Sequence, residues 1–547
     1  MRTYAIRACL IGVCSLAAFG IPVSVSAQAA PAPLAQSPAP VPAADTRRLT
    51  LEEAVRLAVQ NNLGLQVQRF NPQLQDLSLA LARTAWNPSL TTTFQQNGTN
   101  QPSTGFLSGS ATSTHQNRFT NNTSVQQILP TGGQYSIGWD TSRTTSNSVL
   151  TSFPTNISSN LSLSFSQPLL RGFRVDSTRN QLLITQKNRE IADVNLQQQV
   201  ATTSRSVRNA YWDLAYARAA LQVAQQSLDL ANQSLRDTQA RVEIGTTPPI
   251  DIVEAQSEVA SREEAVIVAQ SNIETAEDTL RALVYDPQSP DFWTLHIEPT
   301  ELPTFAAATV DVDSAVQTAL TQRLDLQASK KSLEANDINI RYLRNQALPD
   351  VTASLDYGLV GVGGLQVTRT SPFGGDIVSS TSRSYGSTLA DLFGQDFPSW
   401  TAGVSISYPI GHTQQEASLA QARLQYNQTV TQLKNQQLQV ATQVRQAARA
   451  VVTNQKRVDS NRAARELAEQ RLTAEQRKFA AGTSTNFQVF QAQRDLAQAR
   501  SNELQAILDY QRSVVDLDTV QQVPLTGGGA TTTAPVSSTG TAAAAGR

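Results

Sequence analysis

The residues whose types and spacing suit chemistry best are two carboxylates, Asp251 and Glu254. They stand three positions apart, so on a helix they share one face. Repeated around an axis, such pairs form a ring of carboxylates that selects cations. Asp251 alone equally suits a helix N-terminus, where the helix dipole favours an anion. Both interpretations stay open at this point.

Other reactive side chains show no pattern that favours catalysis. His115, His296 and His412 are scattered without metal-ligand spacing. Cys9 and Cys14 both fall near the N-terminus, and no Gly-x-x-x-x-Gly-Lys-Ser/Thr phosphate loop occurs. The formal net charge of −1 gives no basic footprint for nucleic acid. We therefore expect no enzyme, no metal, no cofactor and no nucleic-acid partner.

The N-terminus indicates export. Residues 1–27 fit a signal peptide, with two arginines, a short apolar run and a small-x-small cleavage site at Val25-Ser26-Ala27. Residues 28–47 are rich in proline and alanine, and residues 522–547 in glycine, threonine and alanine. Both terminal stretches are predicted to be disordered.

Two very long helices must position the carboxylates. Ser177–Glu243 holds neither proline nor glycine, and at 1.5 Å per residue one helix of that length spans ~100 Å. Its apolar residues alternate three and four apart, which is a heptad seam. A second such stretch covers 413–481. A Gly-Thr pair follows each stretch, at Gly245-Thr246 and at Gly482-Thr483.

The second half of the chain repeats the first. Val207-Arg-Asn-Ala matches Val444-Arg-Gln-Ala at an offset of 237, which also relates Gly245 to Gly482. The repeats are predicted at 48–309 and 310–521. Each repeat contains one long helix and two helices of about half its length. The four predicted short helices cover 49–83, 251–283, 310–345 and 486–519, so two stacked end to end should match one long helix.

Strands are expected where polar and apolar residues alternate, and each repeat supplies two. In the first repeat they lie at 89–96 and 159–167, and the segment between them is mostly loop, with a possible hairpin at 119–143 whose role stays open. Apolar-out strands suit a membrane barrel, but four strands are too few to close one. Because open edges cannot face lipid, strands must be pooled between subunits. Candidate interfacial aromatics are Phe94, Trp139, Phe165, Tyr357, Trp400 and Tyr408.

The motifs together resemble the TolC-type outer-membrane efflux and secretion channels over about 49–520. The marks are Ser166-Gln-Pro-Leu-Leu-Arg-Gly172, Ile244-Gly-Thr with Asp251–Gln256, and Ala481-Gly-Thr with Phe487–Gln493. The resemblance implies a mainly α chain with a small β part, internally duplicated. It also implies a homotrimer, in which a long coiled-coil helical tunnel joins a twelve-stranded membrane β-barrel shared between three chains.

Location, partners and sites follow from the same resemblance. The trimer would sit in the outer-membrane lipid of a Gram-negative bacterium, project into the periplasm, and meet a periplasmic adaptor protein and an inner-membrane transporter. The adaptor would dock at the tip turns, which are Gly245, Thr246, Gly482 and Thr483. The pore constriction would follow the turns at Asp251, Glu254, Gln488 and Gln491, where the glutamines of the second half depart from the acidic gate known in the family.

The function predicted from these features is that of a passive exit duct for an efflux pump, exporting small molecules. One alternative is the outlet of a type I protein secretion system. A further alternative is a coiled-coil surface protein with a structural role and no transport.

Overall fold

A computed structural model describes residues 46–522, except 103–112, 149–150, 302–304, 308, 372–374 and 412. The predicted signal peptide and nearly all of the predicted leader and tail lie outside the described residues.

Helices and strands alternate in two similar series. The first series is β1 (Thr46–Leu49), α1 (Leu51–Asn61), α2 (Leu63–Thr84), β2 (Ser89–Pro102), β3 (Ser113–Ile128), β4 (Gln134–Ser146), β5 (Thr155–Pro168), α3 (Ser177–Glu243) and α4 (Ile250–Val284). The second series is β6 (His296–Pro299), α5 (Val312–Gln322), α6 (Leu324–Gln346), β7 (Asp350–Arg369), β8 (Ile377–Arg383), α7 (Tyr385–Gly394), β9 (Pro398–Ser407), α8 (Gln414–Ala480) and α9 (Asn486–Gln521).

The two long helices, α3 and α8, form as predicted and contain 67 residues each. Side chains cap their first turns: the Asp176 carboxylate accepts from the Arg179 amide at 2.8 Å, and the Thr413 hydroxyl accepts from the Glu416 amide at 3.1 Å. Such caps satisfy amides that have no partner within a helix. The predicted duplication, which relates these two helices, stays a prediction.

The helices pack side by side, and the two long helices have two sets of lateral neighbours. One set gives the order α2, α3, α6, α8, and the other gives α4, α3, α9, α8. The long helices α3 and α8 belong to both sets, whereas each shorter helix belongs to one. α4 and α9 contain 35 and 36 residues, about half of the 67 in a long helix.

The predictions of unbroken helices at 49–83 and 310–345 are wrong. Asn62 has extended backbone between α1 and α2; its side chain accepts from the Leu65 amide at 3.1 Å and donates to the Leu283 carbonyl at 3.2 Å. Arg323 separates α5 from α6 and pairs with Asp325 at 2.7 Å, and the Gln522 side chain accepts from the Leu324 amide at 3.0 Å. At both breaks, a side-chain oxygen accepts from an amide in the first turn of the following helix.

The chain contributes more strands than predicted. β2, β3, β4, β5, β7, β8 and β9 form one seven-stranded sheet, in which β8 and β9 both pair with β7. The first half supplies four of these strands rather than two, because the hairpin predicted at 119–143 is longer and inserts between β2 and β5. β3 and β4 are dominated by threonine, serine and asparagine, so the regular apolar alternation that identifies a strand is absent from much of them.

Buried apolar residues form three clusters: one around α1, one around α5, and a smaller one between α8 and α9 close to the second turn. Tyr211 on α3 is fully buried in the first cluster, and its hydroxyl donates to the Leu49 carbonyl at 3.1 Å. Tyr510 on α9 is buried in the second cluster, and its hydroxyl donates to the Ala306 carbonyl at 2.6 Å. These tyrosines tie the long helical wall to the connecting segments around its middle.

Ion pairs link neighbouring helices away from these clusters. Lys331 on α6 lies 2.6 Å from Glu190 on α3, and Lys187 on α3 contacts Glu190 at 3.1 Å and Glu334 at 2.9 Å. The hydrogen bond from Lys331 is the main cause that holds the pKa of Glu190 below its ordinary value. The network therefore stabilises the contact between the two halves of the chain.

We expect Glu190→Gln to lower the free energy of urea unfolding at pH 7 by about 1 kcal/mol or less, because the pair is partly exposed. A carboxylate with a lowered folded pKa adds stability above its unfolded pKa, about 4.3, and loses it as pH falls through the folded pKa. The variant and the parent should thus converge as the pH falls through the lowered folded pKa of Glu190. Glu254→Gln, at an exposed position, is the control; a constant gap at all pH values would contradict the assignment.

Candidate functional site

Both long helices end in the same glycine turn. Gly245 and Gly482 each have φ of +76°, in the left-handed region that favours glycine. In each turn the next threonine donates twice to the carbonyl five residues earlier. The distances are 3.0 Å for both donors of Thr246, and 2.9 and 3.1 Å for those of Thr483. The four predicted tip residues therefore form two equivalent reversals.

Large apolar side chains stand exposed beside these turns. Ile244 is 74% exposed, Ile250 68%, Val253 58% and Phe487 49%. Exposed apolar side chains gathered at one place are typical of protein interaction sites. They favour the predicted docking role of the tip, which stays a prediction.

The four candidate constriction residues lie in the first two turns of α4 and α9. Asp251 is half-buried, and Glu254 and Gln488 are exposed. Gln491 is engaged along its own helix, because its amide donates to the Asp495 carboxylate at 2.8 Å. The start of α4 thus presents two carboxylates, and the start of α9 presents two amides at the corresponding positions.

Sequence reasoning missed two further carboxylates, Glu258 and Asp495, which are related by the same offset of 237. Glu258 is buried and lies 2.6 Å from Arg262 and 3.1 Å from Arg494. Asp495 pairs with Arg471 at 2.7 Å. Because Arg494 and Glu258 stand on different helices and 236 residues apart, no local spacing indicated the pair. Arginines therefore compensate the negative charge of Glu258 and Asp495.

Besides the Glu258–Arg494 ion pair, three contacts join the α3–α4 hairpin to the α8–α9 hairpin near the turns. This tip interlock consists of Asn486 with Thr238 at 3.1 Å, Gln493 with Ser234 at 2.8 Å, and Arg241 over the Phe479 ring at 4.3 Å. Asn486 and Thr238 are buried, and buried polar groups left unpaired cost about 1–3 kcal/mol each. The interlock thus resists separation of the two hairpins.

The sheet has two chemically different faces. One row of paired residues crosses six strands and is wholly apolar: Leu90, Val125, Ile137, Leu163, Tyr357 and Trp400. The neighbouring row, which points to the other face, is small or polar: Thr91, Ser124, Gly138, Ser162, Gly358 and Ser399. Successive residues of a strand point to opposite faces, so at this level of the sheet an apolar row backs a polar one.

The predicted interfacial aromatics follow the same alternation. By strand register, Phe94, Trp139, Phe165, Tyr357 and Trp400 share the apolar face. Tyr408 directly follows the last residue of β9. The Trp139 indole donates to the Ser159 hydroxyl at 2.8 Å, which satisfies its polar atom on an otherwise apolar surface.

Nothing in the described residues resembles a metal centre: no group of three or more His, Cys, Asp or Glu side chains lies close enough together. His296 contacts Glu277 at 3.1 Å, and His115 contacts Ser113 at 3.2 Å; His412 lies outside the described residues. None of the helices in that part of the chain has both the length and the apolar character needed to cross a membrane.

A helical wall that continues into a two-faced sheet defines the class of the protein as an outer-membrane channel. The sequence model of the outer membrane efflux protein family matches residues 132–284 and 315–520, more than half of the chain. The chain therefore belongs to the outer membrane efflux protein family, and its place is the outer membrane.

Individual relatives agree with this family. Outer membrane efflux protein BepC of Brucella suis biovar 1 (strain 1330) is 21% identical over 457 residues, covering 84% of this chain and 82% of BepC. The outer-membrane channel OprN superimposes with a TM-score of 0.60 at 17% identity, over 86% of this chain and 89% of OprN. The Campylobacter jejuni CmeC outer membrane channel gives 0.59 at 14% identity, over 86% and 85%. At these identities the structures establish the shared fold.

We expect Gly482→Ala to loosen the second tip turn. A methyl group at Gly482 would meet no atom within 4 Å, so the cost is the left-handed backbone alone, about 1–2 kcal/mol. Hydrogen exchange at the Thr483 amide should accelerate roughly tenfold for each 1.4 kcal/mol lost. Gly482→Asn is the matched control, because asparagine tolerates this conformation better; equal acceleration in both variants would contradict the backbone explanation.

Proposed function

We propose that this chain is one subunit of a homotrimeric exit duct for an efflux pump. The duct carries small molecules across the outer membrane of a Gram-negative bacterium, and its helical part projects into the periplasm. It is passive and catalyses no reaction. Family membership supports the efflux role, and the assembly with a pump is the step proposed beyond it.

The observation that carries the proposal is the two-faced sheet at one end of a helical wall. An apolar face suits lipid and a polar face suits an aqueous lumen. The sheet leaves strand edges unpaired within one chain, and such edges cannot face lipid. Strands from several copies must therefore meet, and three copies join their sheets into one barrel and their helices into one tunnel.

The opposite end of the wall suits a protein partner. The glycine turns and the exposed Ile244, Ile250, Val253 and Phe487 offer a surface to a periplasmic adaptor. The adaptor links the duct to an inner-membrane transporter, which supplies the energy because the sequence holds no phosphate-binding loop.

Opening requires the two hairpins of each chain to move apart at the tip. The tip interlock holds them together in the present conformation. A partner that binds the separated hairpins more tightly shifts the equilibrium toward the open duct.

The first test is a deletion strain exposed to toxic small molecules while its secreted proteins are profiled. We expect increased sensitivity to drugs or dyes with unchanged secretion, because the pump has lost its outlet. Loss of one or a few secreted proteins with unaltered drug tolerance would instead identify a type I secretion outlet. A strain altered in neither, whose purified protein also conducts no ions in a planar bilayer, would favour the structural surface protein.

Gating is tested by a reversible lock. In Thr238→Cys combined with Asn486→Cys, oxidation should join the two hairpins where their side chains now lie 3.1 Å apart. We expect at least a tenfold loss of drug tolerance in the oxidised strain, restored by reductant. Each single cysteine variant is the control for substitution without a bond. Full tolerance with the disulfide verified on a gel would show that the hairpins need not separate.

A further inference from the structure

We propose that the sheet enters the barrel with six strands per chain, so that three copies close an eighteen-stranded barrel. The family resemblance implies four strands per chain and a twelve-stranded barrel. The inference rests on the proposed trimer and adds the hairpin β3–β4 to the barrel wall. Each free sheet edge then pairs with the opposite edge of a neighbouring copy, β2 with β9.

The hydrogen-bond pattern makes the hairpin an integral part of the sheet. β2 pairs with β3 from Ser89↔Gln126 to Pro102↔Ser113, without a shift in register. β4 pairs with β5 over the whole stretch from Gln134↔Ser166 to Thr145↔Thr155. In the described residues β2 and β5 have no direct pairing, so the hairpin is the link between them.

The chemistry of the hairpin matches a wall strand on both faces. Val125 and Ile137 continue the apolar row that runs from Leu90 to Trp400. Ser124 and Gly138 continue the polar row beside it. A hairpin folded inside the lumen or above the membrane would have no reason to continue both rows in register.

The outer edges are suited to each other. Successive neighbours across the six positions are antiparallel, so β2 and β9 run in opposite directions and can pair between copies. Leu90 and Trp400 on these edges are 69% and 73% exposed, against 42% for Ile137 and Leu163 in the interior. A neighbouring copy paired to each edge would cover the additional exposed surface of Leu90 and Trp400.

The widths of the two parts also agree. Four helices with axes about 8–10 Å apart occupy about 32–40 Å of wall per chain. Six strands spaced about 4.8 Å apart and tilted by about 40° occupy about 38 Å, and four strands only about 25 Å. With six strands per chain the sheet is therefore as wide as the helical wall, and this match does not depend on the number of copies.

The consequence is a wide outlet. The row beside the apolar one consists of serine, threonine and glycine, and by strand register the same face also carries Arg118, Asp140 and Asp356. A barrel of this width presents no second barrier to bulky molecules.

The test measures distances between spin labels in the purified trimer. The cysteines of the chain both lie in the predicted signal peptide, so Ser164→Cys on β5 and Thr401→Cys on β9 introduce single labels. Equivalent sites should lie about 31 Å apart in an eighteen-stranded barrel and about 21 Å in a twelve-stranded one. Ser257→Cys on α4 is the control, because its distances depend on the helical tunnel and not on the strand number.

The outcomes separate this inference from the proposed function. Long distances at both sheet sites, with eighteen strands counted by electron cryomicroscopy of the unmodified protein, support it. A trimer with short distances at the sheet and twelve strands in the images would overturn it and leave the exit duct intact. If the protein has the mass of a monomer and the Ser257→Cys label shows no coupling, the proposed trimer itself fails.

Discussion

Lateral packing along two helices of 67 residues is the constraint on which the rest of the structure depends. A helix of that length extends far beyond any compact core, so other helices must pack against it along its whole length. In this chain the shorter helices α2, α4, α6 and α9 do so. Small residues such as Ala215 and Ala448 are fully buried along α3 and α8, which lets the helices approach closely. The buried surface is thus spread thinly instead of being collected in one core.

The two ends of this wall meet different surroundings, and their residues differ accordingly. At one end, exposed apolar side chains flank tight glycine turns, and arginines neutralise the nearby carboxylates Glu258 and Asp495. At the other end, apolar and small polar rows alternate across the sheet. The first end favours a reversible protein contact, and the second favours a permanent boundary between lipid and water.

The long helices and glycine turns were predictable from sequence, because absence of proline and glycine, followed by Gly245 or Gly482, is a strong local signal. Strands β3 and β4 were not, since their polar residues form strands only through pairing with neighbours. The break at Asn62 depends on its hydrogen bond to the distant Leu283 carbonyl. The tip interlock was equally inaccessible, because Thr238 and Asn486 stand 248 residues apart. Local propensity specifies elements, and contacts between distant parts of the chain specify their arrangement.

The equal lengths of α3 and α8 restrict how this chain can evolve. A residue inserted into one long helix rotates everything beyond it by about 100° and removes its apolar face from every neighbour. Even a whole added heptad leaves the partner helix and the stacked short pairs too short by about 10 Å. Changes of length in the wall must therefore occur together in both halves, whereas the segments that join the strands can vary one at a time. Diversity among such channels should accumulate in their strand connections, while the height of the tunnel is inherited almost unchanged.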